Sequence, residues 1–143
     1  MRLGVDWGKA RVGVAACDPD GLLAYPVETV PARDQEAALQ RVAALAAEYE
    51  PLEIVMGLPL SLDGRNALAA QTVTPIAERL AQLVSVPIRL VDERLTTAQA
   101  HHELGRLDTR KRRQVIDQAA AVGILEGSLS QERNTGTPPG LLI

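Results

Sequence analysis

The sequence predicts an α/β domain built on a mixed five-stranded sheet, an antiparallel meander extended by two parallel strands and flanked by helices. Three observations carry this reading. Apolar, β-branched-rich runs at 2–7, 12–17 and 22–30 are joined by short turn sequences. Two later runs, 54–58 and 87–91, are apolar without alternation, as strands buried on both faces are. Segments with helical periodicity separate and follow those two runs.

The first two strands are separated by Gly8-Lys9-Ala10-Arg11, and Asp18-Pro19-Asp20-Gly21 is a strong turn signal before the third. Asp34 is a plausible N-cap for a helix to Tyr49, whose Ala38, Leu39, Val42, Leu45 and Ala46 recur at helical spacing, with Pro51 just beyond. A loop over 59–66 carries Pro, Ser, Asp and Gly, and a helical pattern then runs to Val84. Pro75 lies inside that pattern and should kink or split it. The fifth strand delivers Asp92-Glu93-Arg94 at its carboxyl end. Thr96 or Thr97 can cap a short helix to about Leu104, which Gly105 ends. After a connector at 107–109, the last helix is expected over about 110–128. The tail has turn composition around Asn134-Thr135-Gly136-Thr137-Pro138-Pro139-Gly140 and no periodicity. The expected organisation is therefore one domain over 1–128 and a flexible tail over 129–143. This is the element order of a ribonuclease H-like domain.

Composition excludes several classes of function. The 143 residues suffice for one core but not for two lobes. With only Trp7, Tyr25 and Tyr49 as aromatics, the chain has no platform on which to stack single-stranded bases. One cysteine, Cys17, excludes an internal disulfide and a cysteine-rich zinc site; at the end of a strand it reads as a small buried hydrophobe. His101 and His102 are adjacent, so on a helix they diverge by about 100° and do not form an i, i+4 metal pair. No apolar run reaches the ~20 residues of a membrane span, and Met1-Arg2 leads into a strand rather than a secretory segment. The expectation is a cytoplasmic protein with no membrane partner.

The net charge of -3 runs against a nucleic-acid partner, but its distribution does not. Arg106, Arg110, Lys111, Arg112 and Arg113 cluster within eight positions, while many acids lie elsewhere. Cations in a first helical turn oppose the helix dipole by ~0.3–1 kcal/mol each when exposed. Four in a row suggest a use, and contact with backbone phosphates is the obvious one; a merely solvated charged end is the alternative.

Three acids stand out: Asp6 at the end of the first strand, Glu93 after the fifth and Asp117 in the last helix. Carboxylates match Mg²⁺ or Mn²⁺, and two such ions ~3.5–4 Å apart can activate water and neutralise the leaving oxygen in phosphodiester hydrolysis. Each acid also has a plainer reading. Asp6 can bond the backbone of the Gly8 turn, and Glu93 can pair with Arg94 or Arg89. Asp92 can take the place of Glu93, since alternation puts those two on opposite faces. Asp117 can form an i, i+4 pair with Arg113, worth only a few tenths of a kcal/mol. Arg110, Arg113, Gln114 and Asp117 share one helical stripe, which continues into Ala120, Ala121 and Ile124.

Asp6-x-Gly8-x-x-Arg11-x-Gly13-x-Ala15, Gly57-Leu58-Pro59 with Asp63-Gly64, Asp92-Glu93-Arg94-Leu95-Thr96-Thr97, and Lys111 followed by Ile116-Asp117-Gln118-Ala119-Ala120 occur in this order. Together they resemble the YqgF/RuvX family of the ribonuclease H-like superfamily, related to Holliday-junction resolvases and connected with pre-16S rRNA processing. The resemblance spans Leu3 to about Gly127. It implies a metal-dependent nuclease whose catalytic and metal-binding acids are Asp6, Glu93 and Asp117. It further implies Mg²⁺ or Mn²⁺ as cofactor and substrate contacts from Arg11, Lys111 and Arg94 or Thr97; Lys9 and, from the basic first turn, Arg110 and Arg113 are expected in the same role. The implied partner is structured RNA in ribosome biogenesis, with branched DNA second, and the protein is expected as a monomer or homodimer.

Two rivals come from other classes. Asp6-x-Gly8 with Arg11 also looks like the first phosphate loop of actin-like ATPases and sugar kinases, but those enclose a nucleotide between two lobes, and one chain of this length supplies a single lobe. A non-catalytic binding module on the same fold would be expected to have lost its acids, and all three are present.

Overall fold

In this computed structural model residues 1–58, 65–92 and 109–143 are described, apart from the side chains of 65–71 and 109–117. The elements are β1 (Leu3–Trp7), β2 (Arg11–Cys17), β3 (Ala24–Pro31), α1 (Gln35–Tyr49), β4 (Ile54–Leu58), α2 (Arg65–Leu83), β5 (Ile88–Asp92), α3 (Thr109–Thr135) and β6 (Leu141–Leu142). They form one sheet in the order β3-β2-β1-β4-β5-β6. β1, β2 and β3 pair antiparallel; β4 lies parallel to β1 and to β5. The mixed sheet of the sequence reading is therefore present. The loop over 59–64, including Asp63-Gly64, and the short helix expected over 97–104 lie outside the described residues.

Strand alternation sorts the core into two layers. Leu3, Val5, Val12, Val14, Ile54, Met56, Ile88 and Leu90 point to one face, where α1 and α2 cover them. Cys17, Val55 and Val91 point to the other, where they meet Ile124, Leu125 and Leu129 of α3. Cys17 is buried there and accepts a hydrogen bond from the Arg2 backbone N–H at 3.2 Å, as a packing residue would. Asp34 caps α1 by accepting from Ala37 N–H at 3.1 Å, and Glu50 closes it in the left-handed region, at φ 49°.

Three features differ from the sequence reading. α2 is continuous through Pro75 rather than split. Pro75 sits on the exposed side of the helix, where solvent can meet the carbonyl left without a helical donor. α3 does not end near 128 but continues to Thr135, where Gly136 N–H bonds Glu132 O at 2.8 Å and Gly136 takes φ 78°. Gly127 weakens the helical pattern, but Leu129 is buried and Glu132 pairs with Arg2 at 2.9 Å, so tertiary contacts hold the extra turns.

The third difference is β6, which makes the sheet six-stranded instead of five-stranded and pairs the tail with β5 through Arg89↔Leu142 and Leu90↔Leu141. Gly140, at φ 83°, makes this seating possible: a Cβ there would collide with Leu90 O. Arg89 Nη1 donates to Pro139 O at 3.4 Å, and its Nε donates to both oxygens of Glu53 at 3.1 Å. Glu53, 7% exposed, also lies 3.1 Å from Arg2 Nε. Arg2, Glu53, Arg89 and Glu132 thus tie the starts of β1, β4 and β5 to the C-terminal half of α3. A buried carboxylate needs such partners, because breaking a buried pair costs about 3–5 kcal/mol.

Two measurements test this account. Gly140→Val should detach β6 while leaving the domain folded, so Ile143 N–H, bonded to Ile88 O at 2.9 Å, should lose hydrogen-exchange protection. On the opposite side of the sheet, Arg41 donates to both oxygens of Glu28, linking β3 to α1 and holding the Glu28 carboxyl below its ordinary value near 4.5. A lowered folded value means that the stabilisation is present above the unfolded value and is lost as pH falls below about 4.5 through the folded one. Since the pair is partly exposed, Glu28→Gln should cost under about 1 kcal/mol at pH 7 and flatten the acid limb of the stability curve, as urea unfolding at several pH values would show.

Candidate metal and nucleic-acid site

The site is built where α3 crosses the sheet. Asp6, half-buried near the end of β1, pairs with Gly13 on β2, and Gly13 pairs with Thr29 on β3. Leu3, Val5 and Trp7 belong to the α1/α2 face, so alternation puts Gly4 and Asp6 on the α3 face. Gly4 is a point of close approach: a Cβ on it would lie 2.9 Å from Ala121 O and 3.0 Å from Leu125 Cβ. Only glycine lets the helix backbone come this close to β1.

Three contacts give the direction of α3. Its Glu132 pairs with Arg2, at the start of β1. Its Ala121 and Leu125 lie over Gly4. Its Gln118 Nε2 donates to Thr29 Oγ1 at 2.9 Å, in the row that contains Asp6. The helix therefore runs antiparallel to β1. From Gly4 to Asp6 the strand advances by about 6.6 Å; from Ala121 back to Asp117 the helix covers one turn, about 6 Å. Position 117 thus comes level with Asp6, on the same helical stripe as Ala121. Its side chain is not among those described.

Glu93 lies outside the described residues, but the strand that leads to it is described. Val91 belongs to the α3 face, whereas Leu90 belongs to the α1/α2 face and Asp92 shares its parity, paired with Leu58. Asp92 is therefore directed to the side of the sheet opposite Asp6. Gly57 on β4, paired with Val91, adds no side chain on one flank of Asp6. Gly13 likewise adds no side chain on the other flank.

The substrate contacts expected from sequence divide similarly. Arg11 opens β2 with the parity of Gly13 and Cys17, hence on the α3 face, just past the Trp7↔Val12 pair. Gly8 N–H bonds Arg11 O at 2.9 Å, and a Gly8 Cβ would sit 2.6 Å from that oxygen, so glycine is needed to close the turn that displays Lys9. Lys9 is exposed at its tip. The backbone of Arg110, Lys111 and Arg113 lies in the first turns of α3, about 6–10 Å beyond position 117 and so level with this turn. Arg94 and Thr97 lie outside the described residues.

A carboxylate on a rigid strand, bordered by two glycines and faced by a helix, suits a hard divalent cation. Among the described residues no three of His, Cys, Asp or Glu come together, and two of the three candidate acids are not among the described side chains. Thr29 and Gln118 are the residues the sequence reading misses. Their bond fixes the helix over the Asp6 row, and nothing in the spacing of a polar residue on β3 signals it. A cavity of about 620 Å³ between Leu22 and the C-terminal turns of α3 is far from this site.

Gly4→Ala tests the close approach. The added methyl would push on Ala121 O and Leu125, costing about 1–3 kcal/mol in denaturant unfolding. Because it displaces α3 from Asp6, it should also lower metal affinity in calorimetry, beyond what the stability loss alone explains.

The chain matches the RuvX family, described as Holliday junction resolvase, over residues 1–131. It is 55% identical to a protein of Streptomyces coelicolor named "Putative pre-16S rRNA nuclease" over 142 residues, 97% of this chain and 85% of that protein. A Thermobifida fusca protein of the same name is 48% identical over 153 residues, covering 100% of this chain and 95% of its own. Among solved structures, Thermus thermophilus RuvC in complex with a Holliday junction substrate superposes with a TM-score of 0.60 at 18% identity, covering 98% of both chains. That likeness gives the ribonuclease H-like fold. The family match and the sequence identities together place this chain in the RuvX family.

Proposed function

We propose that this protein is a divalent-metal-dependent nuclease that hydrolyses phosphodiester bonds of structured RNA, acting in the 5′-end processing of pre-16S rRNA. The observation that carries the reading is the antiparallel register of α3 on β1 through Gly4, which brings position 117 level with Asp6. The names of the curated relatives supply the substrate. The three acids of the site are Asp6, Glu93 and Asp117.

Mg²⁺ or Mn²⁺ bound by these carboxylates would supply a Lewis acid for the scissile phosphate and for the attacking water. The remaining work falls to the chain. Asp6 is carried on a strand paired on both sides, which limits its movement. Arg11, Lys9 and the basic first turns of α3 hold phosphates on either side of the cut, fixing the strand in register without reading its sequence.

Resolution of branched DNA is the second reading, favoured by the family's description and by the fold of RuvC. It requires two cuts and so a symmetric pair of sites.

End-labelled structured RNA and a synthetic four-way DNA junction, incubated side by side with Mg²⁺ or Mn²⁺, test both. Asp6→Asn should reduce cleavage by about 10² or more while leaving the fold intact by circular dichroism. Preferential cutting of the RNA supports rRNA processing, and preferential cutting of the junction supports resolution. No metal-dependent cutting of either substrate would overturn the nuclease reading in favour of a binding module.

A further inference from the structure

Among the described residues, and apart from Arg11, which has a partner of its own, the basic side chains fall into two groups. Arg2 and Arg89 are engaged by Glu53 or Glu132, Arg41 by Glu28, Arg79 by Glu36, and Arg133 donates to Gly21 O. Lys9 and Arg33 are exposed and, among the described residues, have no acidic partner. These two are neighbours in space, because Ala32 N–H donates to Ala10 O at 2.9 Å and joins the segment after β3 to the turn after β1. The acids closest to Arg33 in sequence are occupied: Asp34 accepts from the α1 N-terminus and Glu36 pairs with Arg79. Arg33 therefore makes no ion pair among the described residues, although the Asp34 carboxylate is its neighbour in sequence.

Arg33 lies on the same end of the sheet as the proposed site. Asp6, Gly13 and Thr29 form one row across β1, β2 and β3, and Arg33 follows Thr29 by four residues. Two inter-strand steps of about 4.8 Å and four residues of about 3.3 Å put it on the order of 16 Å from Asp6. That is several nucleotides along a strand.

We infer that Lys9 and Arg33 form a phosphate-binding track that carries the nucleic-acid backbone away from the Asp6 site over the β2–β3 side of the sheet, with Arg33 as its outer contact. The inference rests on the nuclease reading. It assigns to the substrate a course over the Lys9 turn, in addition to the contacts offered by the first turns of α3. A lone phosphate contact adds affinity and salt dependence without sequence preference.

The test measures binding rather than turnover. Asp6→Asn protein is titrated into fluorescein-labelled hairpin RNA and four-way DNA junction in Mg²⁺ buffer at several salt concentrations, followed by anisotropy. Arg33→Ala should weaken binding roughly three- to tenfold and reduce the slope of log K against log salt by about one, equally for hairpins of different sequence. Adding Lys9→Ala should reduce the slope by about two in total. Arg79→Ala, whose charge is paired with Glu36, should leave it unchanged. An unchanged slope in Arg33→Ala, with the parent protein binding normally, overturns the track and leaves the nuclease reading standing. No binding of either probe by the parent protein overturns both.

Discussion

The approach of α3 to β1 at Gly4 is the constraint on which the rest of this structure depends. A side chain at position 4 would meet the helix backbone at 2.9 Å, so the contact exists only because the residue is glycine. It sets the height of the helix above the sheet, and the bond from Gln118 to Thr29 sets its position along the Asp6 row. The energy that holds the helix down comes from Ile124, Leu125 and Leu129, each worth about 1.5–3 kcal/mol when fully buried. A surface ion pair within the helix is worth a few tenths. Packing of the C-terminal half of α3 therefore positions its N-terminal half, where the chemistry is expected.

The two ends of the α3 face are built differently. At the starts of β1, β4 and β5, charge is internally matched through Arg2, Glu53, Arg89 and Glu132. At the carboxyl end of β1 the described cations Lys9 and Arg33 are turned to solvent without acidic partners among the described residues, and Gly13 and Gly57 add no side chains beside Asp6. One end is a staple of matched charges, and the other carries the exposed cations Lys9 and Arg33 at the end of the sheet where Asp6 lies. An acidic chain can meet a polyanionic substrate at such a surface, and among the described residues Glu28, Glu36, Glu53 and Glu132 are held by arginines away from it.

The tail shows how a short element escapes local rules. Leu141–Leu142 has neither the length nor the alternation of a strand, and its surroundings are Pro and Gly. It becomes one because β5 would otherwise present an open edge, and because Gly140 can take a positive φ against Leu90 O. The continuation of α3 to Thr135 has the same origin, since the contacts of Leu129 and Glu132 are with distant parts of the chain.

By itself the sequence determined the class of fold, the order of the elements, the N-cap at Asp34 and the candidate acids, because those follow from periodicity, turn chemistry and residue type within a short window. Motif order also made the family legible, through Asp6, Asp92-Glu93-Arg94 and Asp117. Tertiary structure alone decided that Asp92 and Asp6 lie on opposite sides of the sheet. Alternation separates Asp92 from Glu93 on any strand, but only the sheet shows that Val91 and Asp6 belong to the α3 face. It likewise decided that Thr29 and Gln118 meet, that Ala32 ties Arg33 to the Lys9 turn, and that the tail forms a sixth strand. Each of these depends on a contact between segments far apart in the chain, and such contacts leave no periodic mark in the sequence.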